Sequence, residues 1–327
     1  AGGRAGGHRP VLPGLVSPRR EVPAGVRRPA YMHPGARNLQ GPLGQTFERQ
    51  PPWHPFQHSI EVKAPAQIDA MRAAGALARE ALAVAGHAVA PGVTTDALDA
   101  AVHAFVIGRG AYPSPLGYMG FPKSVSTSVN DVLAHGIPDD RPLEDGDILN
   151  VDVTVFAHGH HGDTSAMFTV GAPDPEALRL CRAARDATAA GIAACRPGAD
   201  FREVGSRIQA VADAAGYYVD RNFVGHGIGS YFHGMPEVIP HVNDVDQGLM
   251  LPGMTFTVEP ILVEGGDGRS SRWGDGWTLQ SPAGARSAQF EHTLLITEEG
   301  CDVLTAPTVD FDDPAAVAAA GAAAVGA

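Results

Sequence analysis

Residues 146–170 read GDILNVDVTVFAHGHHGDTSAMFTV, two alternating runs rich in β-branched residues on either side of the segment HGHHG. Two such runs joined by a short glycine-containing turn are typical of a β-hairpin. Two later stretches, MTFTVEPILV (254–263) and SAQFEHTLLIT (287–297), have the same character and are predicted to be further strands. The hairpin and these strands together predict an antiparallel sheet.

Helical segments lie between the predicted strands and ahead of them. Residues 59–89 form a long run rich in Ala, Leu and Met with Pro65 near its start, which predicts a helix. Residues 91–110 follow with a Pro-Gly turn, Thr94 or Thr95 as the cap, and a predicted end near Gly108 or Gly110.

The Pro-Gly-helix pattern occurs a second time. Pro197 opens a segment that closes at Gly216, and the interval from Pro91 to Pro197 equals the interval from Gly110 to Gly216. A chance match is one interpretation. We favour an internal duplication in which each half lays a pair of helices on antiparallel strands. The predicted fold class is therefore α+β, with two halves related by pseudo-two-fold symmetry.

Acidic residues interrupt the predicted strands. Asp152 lies between valines in NVDVTV, Asp163 begins the second strand of the hairpin, and Glu259 and Glu291 lie in TFTVEPI and AQFEHTL. Burial of a carboxylate costs several kcal/mol unless a cation or a donor compensates it. Any one of them could be the outward-facing member of an alternating strand. Four of them, together with His226 in VGHGIG, favour a functional site.

The spacing of these carboxylates predicts that they converge. A hairpin can bring Asp152 and Asp163 side by side. Glu259 follows Asp152 by nearly the interval of the helix repeat, which places it on the equivalent strand of the other half. Converging carboxylates repel one another and their pKa values rise. Two divalent ions remove this conflict, and a pair roughly 3.5–4 Å apart can hold a hydroxide nucleophile against a carbonyl group.

The charge is unevenly distributed along the chain. The formal net charge is −12, whereas residues 1–56 carry eight Arg and two Glu, which leaves −18 for the remainder. A nucleic-acid-binding domain would itself be basic. We predict a Pro/Arg/Gly-rich, partly disordered N-terminal extension (1–58), a catalytic domain (59–308) and an Ala-rich tail (309–327).

Cellular location is judged from segments that would direct the chain elsewhere. The three cysteines form no CxxC pattern, and neither a secretory signal nor a run of about 18 apolar residues is present. A cytoplasmic location is predicted on these grounds.

Seven motifs in order resemble the type I methionine aminopeptidases, and the similarity runs from about residue 59 to residue 305. They are NDVLAHGIP (130–138), GDILNVDVTV (146–155), HGDTSAMF (161–168), GHGIGSYFH (225–233), FTVEP (256–260), DGW (275–277) and SAQFEHT (287–293). The resemblance implies the pita-bread fold. It also implies hydrolytic removal of the initiator methionine from nascent polypeptides, by attack of a hydroxide held between two metal ions on the methionine carbonyl.

The resemblance assigns a metal-binding role to each residue of the acidic group. It implies that Asp152 chelates one ion, that Asp163 and Glu291 bridge both, and that His226 and Glu259 complete the second. Cobalt, manganese, iron(II) and zinc all tolerate such ligands, so the sequence leaves the metal open.

The resemblance also implies catalytic and substrate-binding residues. His135 and His233 match two histidines that contact the substrate amine or amide and the oxyanion, and Glu259 would shuttle a proton to the leaving amine. Each histidine could instead be a structural one. The implied walls of the methionine pocket, which could equally be core aromatics, are Tyr118, Phe121, Phe232 and Trp277. Met119, Ser126 and Ala134 depart from residues common in the family, which affects substrate preference rather than reaction class.

The N-terminal extension carries a resemblance of its own. LVSPRREVPAGVRRPAY (15–31) is similar to the proline-containing extension of the actinobacterial type I subclass, which implies that it lies along the catalytic domain and faces the ribosome. A solvated linker is the alternative. We hypothesise that the Arg-rich start contacts ribosomal RNA, and that the chain is a monomer.

Two other functions are compatible with the fold. Proline-directed peptidases such as aminopeptidase P and prolidase share it, but they usually carry a large additional N-terminal domain. A non-catalytic binding protein can also reuse the fold, but such proteins tend to lose ligands, and all five positions are filled here.

Overall fold

The computed structural model describes residues 10–33, 60–265, 268–282 and 284–307. Four α-helices lie in this part of the chain: α1 (Pro65–Ala88), α2 (Thr95–Gly108), α3 (Pro175–Ala194) and α4 (Arg202–Ala215). The strands that precede α3 are β1 (Tyr112–Pro113), β2 (Ser126–Val129), β3 (Val132–Ala134), β4 (Ile148–Ala157) and β5 (His160–Thr169). Those that follow α4 are β6 (Tyr218–Val219), β7 (Gly225–Gly227), β8 (Gly234–Val238), β9 (Thr255–Val258), β10 (Ile261–Val263), β11 (Ser271–Arg272), β12 (Leu279–Gln280), β13 (Ser287–Gln289), β14 (Glu291–Ile296) and β15 (Cys301–Val303).

The helix ends lie where the sequence signals predicted them. Helix α1 begins at Pro65, whose missing N–H costs nothing in a first turn. The Thr94 side chain caps α2 by accepting a hydrogen bond from the Ala97 N–H at 3.2 Å. Helix α4 ends at Gly216, which has a left-handed backbone (φ 78°) that favours glycine. Among the described helices, none is both long enough and apolar enough to cross a bilayer.

The predicted hairpin forms the centre of a nine-stranded sheet. Strands β4 and β5 pair antiparallel along their full length around a turn at His158-Gly159. The main strand order is β1-β4-β5-β14-β9-β7-β8, with β2 paired to β4 and β15 to β14. Helix α1 packs against β4 and β5 of this sheet, whereas α3 packs mainly against β10 and β13 and also contacts β9. Together they bury a continuous apolar core. The prediction of an α+β fold is confirmed.

Equivalent strand pairs in the two halves support the duplication. Strand β1 pairs with β4 so that Tyr112 lies opposite Phe156, and β6 pairs with β10 so that Tyr218 lies opposite Val263. Tyr218 follows Tyr112 by the interval that the helices show, and Val263 follows Phe156 by almost the same interval. The strand order β4-β5-β14-β9 therefore places the hairpin of one half beside the equivalent strands of the other.

Two of the predicted strands are broken. Residues 254–263 form β9 and β10, separated at Glu259-Pro260, and residues 287–297 form β13 and β14, separated at Phe290. Proline has no N–H to donate to a ladder, so Pro260 cannot continue β9 as an interior strand. Strand β10 instead pairs with β13 and β6 in a separate three-stranded sheet. The prediction of single continuous strands was wrong at these points.

Within the predicted extension, residues 10–33 run over the surface of the rest of the chain; we call this segment the arm. The Val11 N–H donates to Asp131 Oδ1 (3.0 Å), and Arg20 forms ion pairs with Asp96 and Asp99. Residues 34–59 and the predicted tail lie outside the described residues, so the three-part division of the chain stays a prediction.

Candidate active site

The acidic residues gather on one face of the large sheet. Asp152 on β4 and Glu291 on β14 both lie opposite Ser165 of the intervening strand β5. Asp163 is two residues from Ser165, so alternation places its side chain on the same face. Asp152 and Asp163 are therefore diagonal neighbours across the hairpin rather than directly opposed.

Glu259 and His226 complete the group from the other side. His292 pairs with Val258, and one further step of that register places Glu259 beside Glu291. His226 Nε2 lies 3.5 Å from Glu259 Oε1 and 3.7 Å from Asp163 Oδ2. Ligand atoms of Asp163, His226 and Glu291 all lie within 4.8 Å of one another. The structure thus brings the five predicted ligands together.

The electrostatics of this group are unfavourable in the absence of a cation. Burial raises the pKa of Asp152 to about 7, and burial together with repulsion from Asp152 raises the pKa of Glu259 to about 8. Burial and neighbouring carboxylates hold the pKa values of Asp163 and Glu291 well above their usual range. Burial lowers the pKa of His226 to about 4, so its imidazole is neutral and able to bind a metal.

A compensating cation is missing from the protein groups that act on these carboxylates. Among the described residues, neither a lysine nor an arginine is one of the main influences on the pKa values of Asp152, Asp163, Glu259 and Glu291. Oxygen ligands with one imidazole suit hard-to-borderline divalent ions. The residues therefore fit a metal site, because a cation would remove the repulsion that burial imposes.

Hydroxyl and amide groups orient the carboxylates. Thr154 Oγ1 donates to Asp163 Oδ1 (2.7 Å), and Thr257 Oγ1 donates to Glu259 Oε1 (2.8 Å). Gln289 Nε2 also donates to Glu259 Oε2 (3.3 Å). None of these three residues was predicted from the sequence. Strand alternation places Thr257 on the same face as the predicted ligand Glu259, but threonine is too common in strands for this spacing to mark it as functional.

His233 lies beside the predicted metal ligand His226 in an aromatic group. Its Nδ1 hydrogen-bonds the Tyr118 hydroxyl (2.7 Å), and its ring centroid lies 4.2 Å from that of His226. Phe232 stacks on His233 at 4.1 Å. Burial and three nearby histidines hold the pKa of His233 well below its usual range, so the ring is neutral.

His135 belongs to a second aromatic group. Its ring lies 5.9 Å from Trp277 and 5.2 Å from Phe223, and Trp277 lies 5.2 Å from Phe121. Burial lowers the pKa of His135 to about 4. Phe223 was not predicted from the sequence, because it follows Asn222 in a short loop and belongs to no motif.

The three family departures occupy different environments. Ser126 lies opposite Asp152 in the pairing of β2 with β4, directly beside the carboxylates. Ala134 pairs with Leu279 on β12, two residues from Trp277. The Met119 side chain is 58% exposed on a backbone with φ 46°. Of the three, Ser126 is therefore the one that lies directly opposite a predicted metal ligand.

Two other buried histidines bind protein groups. His161 Nδ1 hydrogen-bonds Ser114 Oγ (2.8 Å), and its ring stacks on Phe232 at 5.3 Å. His292 Nδ1 hydrogen-bonds Thr305 Oγ1 (2.8 Å). Burial lowers their pKa values to about 3 and about 4 respectively, so both rings are neutral.

Comparison with known proteins identifies the family. The family model of metallopeptidase family M24 matches residues 69–298. Methionine aminopeptidase 1D, mitochondrial, of Homo sapiens is 48% identical over 298 residues, which are 91% of this chain and 84% of the relative. Methionine aminopeptidase 1D, chloroplastic/mitochondrial, of Arabidopsis thaliana is 45% identical, with coverage of 92% and 81%.

Solved structures agree with these relatives. The methionine aminopeptidase of Rickettsia prowazekii is 41% identical with a TM-score of 0.73, over 76% of this chain and all of that one. The prolidase of Pyrococcus horikoshii is 20% identical with a TM-score of 0.61, over 76% of this chain and 65% of that one, which shows a shared fold only. The pita-bread fold is confirmed, and the sequence similarity favours the methionine enzymes over the proline-directed ones.

One prediction is contradicted by the comparisons. Several relatives are named as mitochondrial or chloroplastic enzymes, so the prediction of a cytoplasmic location was wrong. It relied on the lack of secretory and membrane-spanning segments, which does not separate the cytoplasm from an organelle interior.

The chain thus has both a group of buried carboxylates, imidazoles and aromatic side chains and close sequence similarity, over most of its length, to methionine aminopeptidases. The chain belongs to metallopeptidase family M24 and, within it, to the methionine aminopeptidases, metal-dependent hydrolases that remove N-terminal methionine from polypeptides.

Proposed function

We propose that the chain hydrolyses the initiator methionine from nascent polypeptides with two divalent cations held by one group of five ligands. The observation that carries this proposal is the convergence of four acidic side chains with raised pKa values around one neutral imidazole. The ligands are Asp152, Asp163, His226, Glu259 and Glu291.

The strand order supports a division of the ligands between two cations. Asp163 and Glu291 come from the central strands β5 and β14, so they are the candidates to bind both cations. Asp152 on β4 would bind one cation, and Glu259 after β9, with His226 on β7, would bind the other. Bound divalent ions supply an acidified water molecule and polarise the scissile carbonyl group. Cobalt, manganese, iron(II) and zinc all suit these donors.

The histidines would act on the substrate as neutral donors. In the proposed tautomer the Tyr118 hydroxyl, 2.7 Å from His233 Nδ1, donates to that nitrogen and the ring proton lies on Nε2. From there it can donate to the oxygen of the scissile carbonyl as negative charge develops on it. His135, also neutral, would contact the substrate amine or amide.

Glu259 would transfer the proton of the reaction. Its carboxylate would accept a proton from the attacking water molecule. The Thr257 hydroxyl holds Oε1 and the Gln289 amide holds Oε2, so the carboxylate has a fixed orientation. It can therefore accept a proton and deliver it to the leaving amine without a rotamer change.

The substrate side chain would occupy an aromatic pocket. A methionine thioether packs favourably against aromatic rings. The proposed walls are Tyr118, Phe121, Phe223, Phe232 and Trp277. The predicted binding to the ribosome stays a prediction, and its proposed contacts by Arg4 and Arg9 lie outside the described residues. The monomeric state also stays a prediction.

The proposal is tested by Glu259→Gln, which keeps the size of the side chain but removes its charge and its ability to accept a proton. We expect kcat for a Met-Ala-Ser peptide to fall by at least about a hundredfold, with weaker binding of Mn²⁺ by calorimetry. Glu299→Gln is the matched control, because Glu299 is exposed in the turn after β14. Near-normal turnover by Glu259→Gln would refute the assignment, and faster cleavage of an Xaa-Pro peptide would favour a proline-directed enzyme.

A further inference from the structure

The arm contacts residues 114–121, the loop after β1 that carries Tyr118. The Tyr31 hydroxyl donates to the backbone carbonyl of Ser114 (2.5 Å), which fixes the start of this loop. The Tyr31 ring packs edge-on against the Tyr118 ring, with centroids 5.1 Å apart and planes at 80°. An arm residue therefore touches a side chain of the proposed substrate pocket.

A second arm contact holds the same loop from outside. Arg19 Nη2 donates to the Leu116 carbonyl and to the Tyr112 hydroxyl, both at 3.3 Å. Gly117 has φ 82°, and a Cβ at this position would lie 2.2 Å from Arg19 Nη2 and 2.8 Å from Met32 Sδ. The ends of the Arg19 and Met32 side chains thus pack directly on Gly117, where the left-handed backbone favours glycine.

The inner side of the loop reaches the proposed catalytic histidine. The Tyr118 hydroxyl is 2.7 Å from His233 Nδ1, so the position of Tyr118 affects the orientation of the His233 ring. A second path leads through stacked rings, because Tyr31 lies 6.2 Å from His161, which stacks on Phe232, which stacks on His233.

We propose that Tyr31 and Arg19 are positioning residues for catalysis, which hold Tyr118 where its hydroxyl orients His233. The inference rests on the proposed role of His233. The arm has other anchors, such as the ion pair of Arg20 with Asp99, which do not involve the Tyr118 loop. Attachment of the arm therefore does not explain why Tyr31 and Arg19 both contact the loop that carries Tyr118.

The direct test is Tyr31→Ala in the full chain loaded with Mn²⁺ and assayed with Met-Ala-Ser peptide. A misplacement of about 1 Å can lower a rate up to about a hundredfold, so we expect kcat to fall by tenfold or more while KM changes by less than about threefold. Tyr31→Phe keeps the ring contact with Tyr118 and should recover most of kcat. Leu15→Ala is the matched control in the arm, since that side chain is 78% exposed.

A double-mutant cycle shows whether Tyr31 acts through the Tyr118 hydroxyl. Tyr118→Phe removes that hydroxyl, so Tyr31→Ala should lower kcat much less in the Tyr118→Phe background than in the parent. Fully multiplicative losses would overturn the inference. If Tyr31→Ala unfolds at the assay temperature by thermal melting, Arg19→Ala replaces it in the same cycle.

The outcomes also separate this inference from the proposed function. A His233→Ala variant with undiminished kcat contradicts the role of His233 on which the inference depends, whereas a Tyr118→Phe variant with undiminished kcat overturns only the inference. A Tyr118→Phe variant with reduced kcat, beside a Tyr31→Ala variant with normal kcat, leaves the proposed function intact and overturns the positioning role of the arm.

Discussion

Thr257 connects two of the proposed metal ligands through one hydroxyl group. The backbone N–H of His226 donates to Thr257 Oγ1 (2.9 Å), and the Thr257 hydroxyl donates to Glu259 Oε1 (2.8 Å). Valine keeps the volume and the β-branched shape but removes both hydrogen bonds. We expect Thr257→Val to weaken Mn²⁺ binding about tenfold to a hundredfold, the range for groups that orient ligands, in a calorimetric titration.

Thr255 provides the control for this substitution. It lies two residues earlier on β9 and donates to the Ile228 carbonyl (2.6 Å), which belongs to no proposed ligand. Thr255→Val should lower stability and leave the dissociation constant for Mn²⁺ within about twofold. Equal weakening of Mn²⁺ binding by both substitutions would mean that Thr257 acts through general stability of the strand.

The predictability of individual residues follows from how unusual they are in a strand. Asp152 and Glu291 stand out because a carboxylate among apolar strand residues costs free energy without a cation. Thr154 and Thr257 do not stand out, since threonine is common in strands for its shape alone. Their roles became evident only when the register placed their hydroxyls beside the acidic groups.

The arm is anchored to helix α2 through a buried carboxylate. Arg20 Nε lies 2.7 Å from Asp99 Oδ2, and the Asp99 side chain is fully buried while that of Arg20 is 25% exposed. Arg20→Ala removes this donor but leaves the Ser124 N–H bonded to the other carboxylate oxygen. We expect the free energy of unfolding, measured with urea, to fall by about 1–3 kcal/mol.

Arg179→Ala is the control on helix α3. Arg179 pairs with Glu176 at the surface, where both side chains are more than half exposed, so its loss should leave the urea midpoint unchanged. An Arg20→Ala midpoint that matches the Arg179→Ala midpoint would show that the arm contributes nothing to stability at this anchor.

The elements of the fold were predictable to different degrees. Helix ends followed from local signals, because Pro65, Thr94 and Gly216 act on their own backbone. The break of β9 at Pro260 was not predicted, although proline marks it, because the apolar pattern continues on both sides. Which sheet a strand joins depends on its partners. Strand β10 pairs with β13, although β11 and β12 lie between these two strands along the chain.

The duplication was predictable and the packing of the arm was not. A repeated interval between Pro-Gly turns is a property of the sequence alone. The arm lacks an apolar period, and its contacts with Asp131, Asp99 and Ser114 join residues between 79 and 120 positions apart. Single polar contacts of this kind leave no periodic signal, so composition alone favoured an extended or partly disordered segment.

The two halves meet at the acidic group, so its charge state affects the stability of the whole molecule. In cation-free protein the pKa values of Asp152 and Glu259 lie at about 7 and about 8, above the value of about 4 of an unfolded chain. The folded state therefore binds more protons than the unfolded state between these limits. Stability from these groups is present below about pH 4 and is lost as the pH rises through about 8.

A thermal melt of chelator-treated protein tests this directly. The pKa values of His226 and His135 are lowered to about 4, so their contribution to stability increases with pH up to about 6.5 and is constant above it. The carboxylates therefore determine the slope of Tm against pH above about 6.5. We expect Tm to fall between about pH 6.5 and pH 8.5 without metal. Saturating Mn²⁺ should abolish or reverse this slope, because the cation displaces the protons and binds only the folded site. Asp152→Asn should flatten the metal-free slope. A metal-free Tm that stays constant or rises over this interval would show that the acidic group does not carry the raised pKa values on which the proposed metal site rests.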